Sequence, residues 1–178
     1  MDQLPLRDLS EVDLIVLHCT EEPDLEDARK LGEDLTKKIA AHYYVDRDGS
    51  VEQWIDPDRV ASHTRGVNRR AIGIELVNLG RWPDHFSSSN QTPDEPYTPA
   101  QLEALKDLLD LLRYLLPGSV ELKRHSDLDE SRVPATDKPE IMVRRRIDPG
   151  PLFPWERFLG RWSRTSPTNS PSQWSSPR

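Results

Sequence analysis

Leu14-Ile15-Val16-Leu17 is a continuous apolar run, and His18 follows it directly. Such a run is typical of a strand that is buried on both faces. A second strand is predicted over Ala71 to Val77 (AIGIELV), where isoleucine or leucine occupies every second position. These two strands, separated by a helical pattern, indicate an α/β fold.

The pattern on either side of these strands adds helices and a hairpin. Leucine, alanine and isoleucine at spacings of three and four predict a helix over Asp24 to Ala40. Asp48-Gly49 is a strong turn signal and predicts a β-hairpin between residues 41–46 and 51–55. A second helix is expected to begin at Thr98, with Gln101 completing a capping box. The remaining predicted elements are a strand over 120–123, a short helix from 154, and long loops over 80–97 and 126–142.

Together these elements predict one domain: a mixed central β-sheet flanked by helices, over residues 1–159. Residues 160–178 are rich in serine and proline and are expected to form a disordered basic tail. The N-terminus has acidic residues where a signal peptide needs basic ones, and no apolar run has the length of a membrane span. A cytoplasmic protein without a membrane partner is therefore expected, with export as the alternative. The chain is also expected to be a monomer.

Composition narrows the function only slightly. The formal net charge is −7, which argues against nucleic acid as the main partner. A single cysteine, Cys19, excludes an internal disulfide. Because strand alternation points Cys19 away from His18, it is expected to be a buried structural residue.

Four polar residues stand where an apolar core would prefer hydrocarbon. His18 and His125 each follow a predicted strand, Glu75 lies within an apolar strand, and Asp148 lies in the proline-rich sequence IDPGP. Two histidines and an aspartate are a plausible catalytic zinc set, with a glutamate nearby to move a proton. Their separation in the sequence also leaves open that each histidine is structural and that Glu75 belongs to an ion pair.

Several short motifs occur in one order along the chain. They are VLHCTE at 16–21, AHYYVDRDGSVEQWI at 41–55, SHTRG at 62–66, AIGIELVN at 71–78, RHSDL at 124–128 and RRRIDPGPLFPW at 144–155. The ordered set resembles the type 2 N-acetylmuramoyl-L-alanine amidase family, which includes anhydromuropeptide amidases, T7-type lysozymes and peptidoglycan recognition proteins. The resemblance implies a mixed sheet flanked by helices, one Zn²⁺ ion, and peptidoglycan fragments as substrate. It implies cytoplasmic recycling of muropeptides, with a phage lytic role as the alternative.

The resemblance also implies a role for individual residues. His18, His125 and Asp148 would be the zinc ligands, and Glu75 the catalytic acid and base. Arg146 stands where the family usually has a lysine that stabilises charge on the carbonyl oxygen, so this contact departs from the family pattern.

Two differences from the T7-type lysozymes indicate which branch of the family the chain resembles. T7-type lysozymes have a tyrosine where this chain has Ala41, and a cysteine as third ligand where it has Asp148. The resemblance therefore favours the amidase branch with a glutamate base.

Substrate contacts are predicted less directly. His63 resembles a residue of the loop beside the family's substrate cleft, and Asn68, Asn78 and Arg81 flank the strand that carries Glu75. All four are candidate substrate-binding residues. Two other functions stay open at this stage: a muropeptide-binding module without catalysis, and a zinc amidohydrolase that acts on a different amide.

Overall fold

The structure is a computed structural model that describes residues 4–33 and 40–164. Its strands are β1 (Leu14–Cys19), β2 (Tyr43–Val45), β3 (Val51–Gln53), β4 (Ala71–Leu76), β5 (Glu121–Arg124), β6 (Arg132–Pro134) and β7 (Met142–Arg144). Its helices are α1 (Leu25–Glu33), α2 (Pro99–Leu115), α3 (His125–Leu128) and α4 (Trp155–Arg164). No helix in the described part of the chain is long and apolar enough to span a membrane.

Five strands form the central sheet in the order β3-β2-β4-β1-β5. Strand β1 pairs in parallel with both β4 and β5, and β2 pairs in parallel with β4. Within this sheet the β2–β3 pair is antiparallel, and it is the hairpin that Asp48-Gly49 predicted. The predicted mixed sheet flanked by helices is therefore confirmed.

The two faces of the sheet serve different purposes. One face carries Ile72, Ile74 and Leu76 of β4, and it packs against the buried leucines of α2 and Phe158 of α4 in the main apolar core. The opposite face carries His18 of β1 and Glu75 of β4, which are direct neighbours in the strand register. The apolar core thus holds a rigid sheet whose other face presents polar side chains.

Helix α2 begins as predicted, but its capping differs from the prediction. The hydroxyl of Thr98 accepts a hydrogen bond from the Gln101 amide, as an N-cap should. The Gln101 side chain does not return to Thr98, because its Nε2 donates to the backbone oxygens of Val45 and Val77 at 3.0 Å each. The capping box predicted at Gln101 is therefore wrong, and this amide instead joins α2 to the ends of β2 and β4.

Three predicted segments, at 24–40, 126–142 and 160–178, have different bounds or contents in the structure or extend beyond the described residues. The helix predicted over 24–40 is described as α1 up to Glu33, and residues 34–39 lie outside the described residues. The predicted loop 126–142 contains β6, which pairs with β7 in a small second sheet. Helix α4 continues to Arg164, so residues 160–164 of the predicted tail are helical, while residues 165–178 lie outside the described residues.

Candidate metal centre and active site

Three buried side chains converge at the C-terminal end of β1. The Nδ1 atoms of His18 and His125 are 2.9 Å apart, and Asp148 Oδ2 lies 3.1 Å from the first and 2.9 Å from the second. His18 is the penultimate residue of β1, His125 begins α3 immediately after the neighbouring strand β5, and Asp148 follows β7. Residues separated by more than a hundred positions meet here because β1 and β5 are adjacent and parallel.

The donor set suits a zinc ion. Tetrahedral zinc with ligand bonds of about 2.0–2.1 Å needs donor atoms roughly 3.3 Å apart, close to the observed triangle. Two imidazole nitrogens and a carboxylate oxygen are ligands that zinc accepts, and three protein ligands leave a position for water or substrate. The second carboxylate oxygen of Asp148 is buried and has no hydrogen-bond partner among the described residues. The geometry therefore fits one metal ion.

The protonation states also suit metal binding. Burial, together with the neighbouring His125, lowers the pKa of His18 to about 4, so its imidazole is neutral at pH 7. Burial would raise the pKa of the Asp148 carboxyl, but hydrogen bonds with His125 and His18 outweigh burial and hold that pKa below its usual range. A neutral imidazole and an ionised carboxylate are the forms that bind a metal.

Glu75 lies beside this cluster on the same face of the sheet. Its register partner on β1 is His18, and its Oε2 atom is buried without a hydrogen-bond partner in the described part of the chain. Burial and the nearby Asp148 carboxylate raise the pKa of Glu75 well above its ordinary value. A carboxyl group with a raised pKa next to a metal site is suited to accept and return a proton.

Arg146 is a cation that acts electrostatically on Glu75. Its charge lowers the pKa of both Glu75 and His18, which places the guanidinium within electrostatic reach of both residues. The Nε atom of Arg146 is buried and has no hydrogen-bond partner among the residues described. A buried guanidinium donor without a protein partner can bind a negative charge.

His63 contacts one member of the group formed by His18, His125 and Asp148. Its Nδ1 atom lies 3.1 Å from Nε2 of His18, on the opposite side of that ring from the convergent Nδ1. The Thr64 hydroxyl lies 3.0 Å from His63 Nδ1 and 3.3 Å from His18 Nε2. If His18 binds a metal through Nδ1, its proton must lie on Nε2, where His63 Nδ1 and the Thr64 hydroxyl can accept it.

The backbone around His63 is held in place by two other residues. Asn68 Oδ1 accepts hydrogen bonds from the backbone amides of His63 and Thr64. A Cβ atom at Gly73 would lie only 2.6 Å from Cγ of His63, so only glycine on β4 allows the imidazole to approach the sheet. His42 is completely buried and packs against His63 with ring centroids 5.6 Å apart.

The four residues predicted to contact substrate all have protein partners in the structure. His63 is only 9% exposed and bonds to His18, and Asn68 organises the His63 loop. The side chain of Asn78 is buried and bonds to the Glu95 oxygen and the Gly80 amide. Arg81 is 0% exposed, with its guanidinium bound by Glu21. Both Asn78 and Arg81 are thus enclosed and already paired among the described residues, and their contact with a substrate stays a prediction.

Thr64, whose hydroxyl contacts both His63 and His18, was not predicted as a site residue. The only signal for it was its position next to His63 in SHTRG, since a hydroxyl residue beside a loop histidine is otherwise unremarkable. Cys19 is buried in the main apolar core, as strand alternation predicted.

Comparison with known proteins places this geometry in context. The family model described as N-acetylmuramoyl-L-alanine amidase matches residues 8–151. An endolysin of Klebsiella phage KP32 is 33% identical over 99 residues, which cover 56% of this chain and 60% of the endolysin. The 1,6-anhydro-N-acetylmuramyl-L-alanine amidase AmpD of Haemophilus influenzae is 28% identical over 131 residues, which cover 68% of this chain and 58% of AmpD.

A solved structure agrees with the fold. The N-acetylmuramoyl-L-alanine amidase LysC from Clostridium intestinale superimposes with a TM-score of 0.62 at 25% identity, over 89% of this chain and 90% of LysC. The chain spans about three fifths of the length of the curated relatives described above.

Proposed function

Since the chain belongs to the N-acetylmuramoyl-L-alanine amidase family, we propose that it hydrolyses the amide bond between N-acetylmuramic acid and L-alanine with one zinc ion. His18, His125 and Asp148 are the proposed ligands. The observation that carries this proposal is the convergence of their three donor atoms, within 3.1 Å of one another, beside the buried carboxyl group of Glu75.

Each proposed role follows from the position of the side chain. When bound, zinc supplies Lewis-acid chemistry, polarising a carbonyl oxygen and making water acidic enough to ionise near neutral pH. Glu75 accepts the proton of the attacking water and then delivers it to the departing amino group of L-alanine. Arg146 contributes a fixed positive charge that stabilises the negative charge developing on the scissile carbonyl oxygen.

The preferred substrate is proposed to be a soluble anhydro-muropeptide, which implies a role in cytoplasmic recycling of cell-wall fragments. AmpD of Haemophilus influenzae, named for the anhydro substrate, is similar over 68% of this chain. The phage endolysin is similar over 56% of it. Asp148 as third ligand supports the same branch through the family resemblance.

The experiment that tests the proposal compares wild type with Glu75→Gln, a variant of the same shape without a titrating carboxyl. Both are loaded with zinc and assayed on 1,6-anhydro-muropeptides and on intact sacculi, with and without a chelator. We expect wild type to release L-alanyl peptides from the soluble fragments, the chelator to abolish release, and Glu75→Gln to bind zinc normally while losing at least a hundredfold in kcat.

The outcomes separate the alternatives. Wild-type protein that binds muropeptides but holds no stoichiometric zinc and cleaves nothing would be a binding module. Zinc-dependent cleavage of another amide would identify a different amidohydrolase. Efficient cleavage of sacculi would replace the recycling role with a lytic one.

A further inference from the structure

The long loop of residues 80–97 has buried ends that bind the segment carrying Asp148. This loop contains no helix or strand, yet Arg81 near its start is 0% exposed and Tyr97 at its end is 7% exposed. Each of these side chains donates to backbone oxygens between residues 144 and 149. That stretch also contains Arg146, so both ends of the loop contact the chain next to two proposed functional residues.

Arg81 binds the N-terminal part of this segment. Its Nη1 donates to the backbone oxygen of Arg144 at 2.8 Å, and its Nη2 donates to that of Arg145 at 3.1 Å. Glu21 orients the guanidinium through a buried two-point ion pair, with distances of 2.6 and 3.1 Å. Because the ion pair leaves the remaining donors pointing at the two carbonyls, the guanidinium holds the backbone just before Arg146.

The close approach of Glu21 and Arg81 depends on the local backbone. Gly80 has φ +51, and a Cβ atom there would lie 2.7 Å from Cγ of Glu21. Glu21 itself adopts φ 54, which is uncommon for a residue other than glycine. Glu21 thus combines an uncommon backbone conformation with a carboxylate whose two oxygens both bind Arg81. This combination indicates that the geometry of the ion pair is important.

Tyr97 binds the C-terminal part of the segment. Its hydroxyl donates to the backbone oxygen of Pro149, the residue after Asp148, at 2.6 Å. Its ring packs edge-on against Phe153 with centroids 5.3 Å apart, so the hydroxyl cannot move without disturbing the core. The Asp148 backbone is thus held on both sides.

Residues 145–150 need such support because strand β7 ends at Arg144 and none of them belongs to a helix or strand. We propose that Arg81 and Tyr97 are positioning residues, which hold residues 144–149 so that the Asp148 carboxylate meets the two histidines and Arg146 faces Glu75. The inference rests on the proposed zinc site. Residues that orient metal ligands typically change metal affinity about 10–100-fold when they are replaced.

The test uses conservative variants with matched controls. Tyr97→Phe removes one hydroxyl, and Tyr114→Phe is its control because Tyr114 is 86% exposed on α2. Arg81→Lys removes the two-point geometry, and Arg29→Lys is its control because Arg29 makes a similar ion pair with Glu52 outside the metal site. Zinc dissociation constants are measured by chelator competition, and visible spectra are recorded with cobalt in place of zinc.

We expect Tyr97→Phe and Arg81→Lys to bind zinc about tenfold or more weakly, to shift the cobalt absorption bands, and to lower kcat with little change in KM. The controls should match wild type. Melting temperatures of the metal-free proteins identify any variant that is merely unstable, and Tyr97→Phe decides the question if Arg81→Lys does not fold.

Two negative results are distinguishable. Wild-type zinc affinity, cobalt spectrum and kcat in Tyr97→Phe would overturn the positioning role while leaving the proposed amidase intact. Wild-type protein that binds no zinc would overturn the proposed function and this inference together.

Discussion

The Nε2 atom of His18 lies 3.1 Å from Nδ1 of His63, while Nδ1 of the same His18 ring faces His125 and Asp148. One imidazole therefore contacts both the proposed metal-binding residues and the buried ring of His63. This arrangement fixes the tautomer and the ring orientation of the proposed ligand.

Replacing His63 by leucine should weaken metal binding without removing a ligand. The variant keeps an apolar side chain of similar volume but leaves the His18 Nε2 proton with only the Thr64 hydroxyl as acceptor. We expect the zinc dissociation constant, measured by chelator competition, to rise about tenfold or more. An unchanged constant would show that Thr64 alone is enough to orient His18.

Gly73→Ala should reproduce this defect through the backbone rather than through the imidazole. The added methyl group would lie 2.6 Å from the His63 ring, so the ring must shift and its 3.1 Å contact with His18 would be disturbed. We expect weaker zinc binding and a loss of about 1–3 kcal/mol in the free energy of unfolding, measured by urea titration. Gly118→Ala is the control, since nothing lies within 4 Å of a Cβ at that position.

The sequence predicted those parts of the protein in which local pattern and tertiary packing agree. The apolar runs of β1 and β4 became central parallel strands, and the polar residues at their ends, His18 and Glu75, became neighbours on one face. Parallel strands bring their C-terminal ends to one edge, so residue type and position in the chain were enough to group these side chains.

Sequence patterns could not show a side chain's partner where that partner is distant in sequence. Arg81 was predicted to contact substrate from its position after a strand, and nothing in that pattern indicates the ion pair with Glu21, sixty residues earlier. Gln101 has the spacing of a capping box, yet the carbonyls of Val45 and Val77 bind its amide instead. Short strands such as β6 have too few residues to show periodicity, so the β6–β7 pair was not predicted.

Acid should destabilise the metal-free protein over a pH range set by the pKa values of its buried histidines. Burial lowers the pKa of His42 to about 4, below its ordinary value of about 6.5. The unfolded chain therefore binds more protons than the native chain between these pH values, and the free energy of unfolding must fall as pH decreases from about 6.5 to about 4. For His42 alone, this pKa shift corresponds to a loss of about 3 kcal/mol in the free energy of unfolding.

His42→Gln tests the assignment of that loss to His42. The variant loses stability at pH 7, since the Gly73 amide and the Arg59 oxygen both use the His42 ring. Its free energy of unfolding should nevertheless decrease less steeply between pH 6.5 and 4 than that of wild type, in urea titrations with chelator present. Parallel curves would assign the acid sensitivity to other groups, of which His63 is the first candidate because burial lowers its pKa well below 6.5.

Arg146 variants should separate its charge from its shape. Arg146→Lys keeps the positive charge and should retain most of the activity, while Arg146→Met should lower kcat about 10²–10³-fold, as removal of an oxyanion donor typically does. Because the Arg146 charge lowers the pKa of Glu75, the methionine variant should also raise that pKa. Glu75 must be ionised to accept a proton, so the acid limb of the kcat/KM profile should move to higher pH. A methionine variant with reduced kcat and an unshifted acid limb would show that Arg146 acts on the substrate but does not tune Glu75.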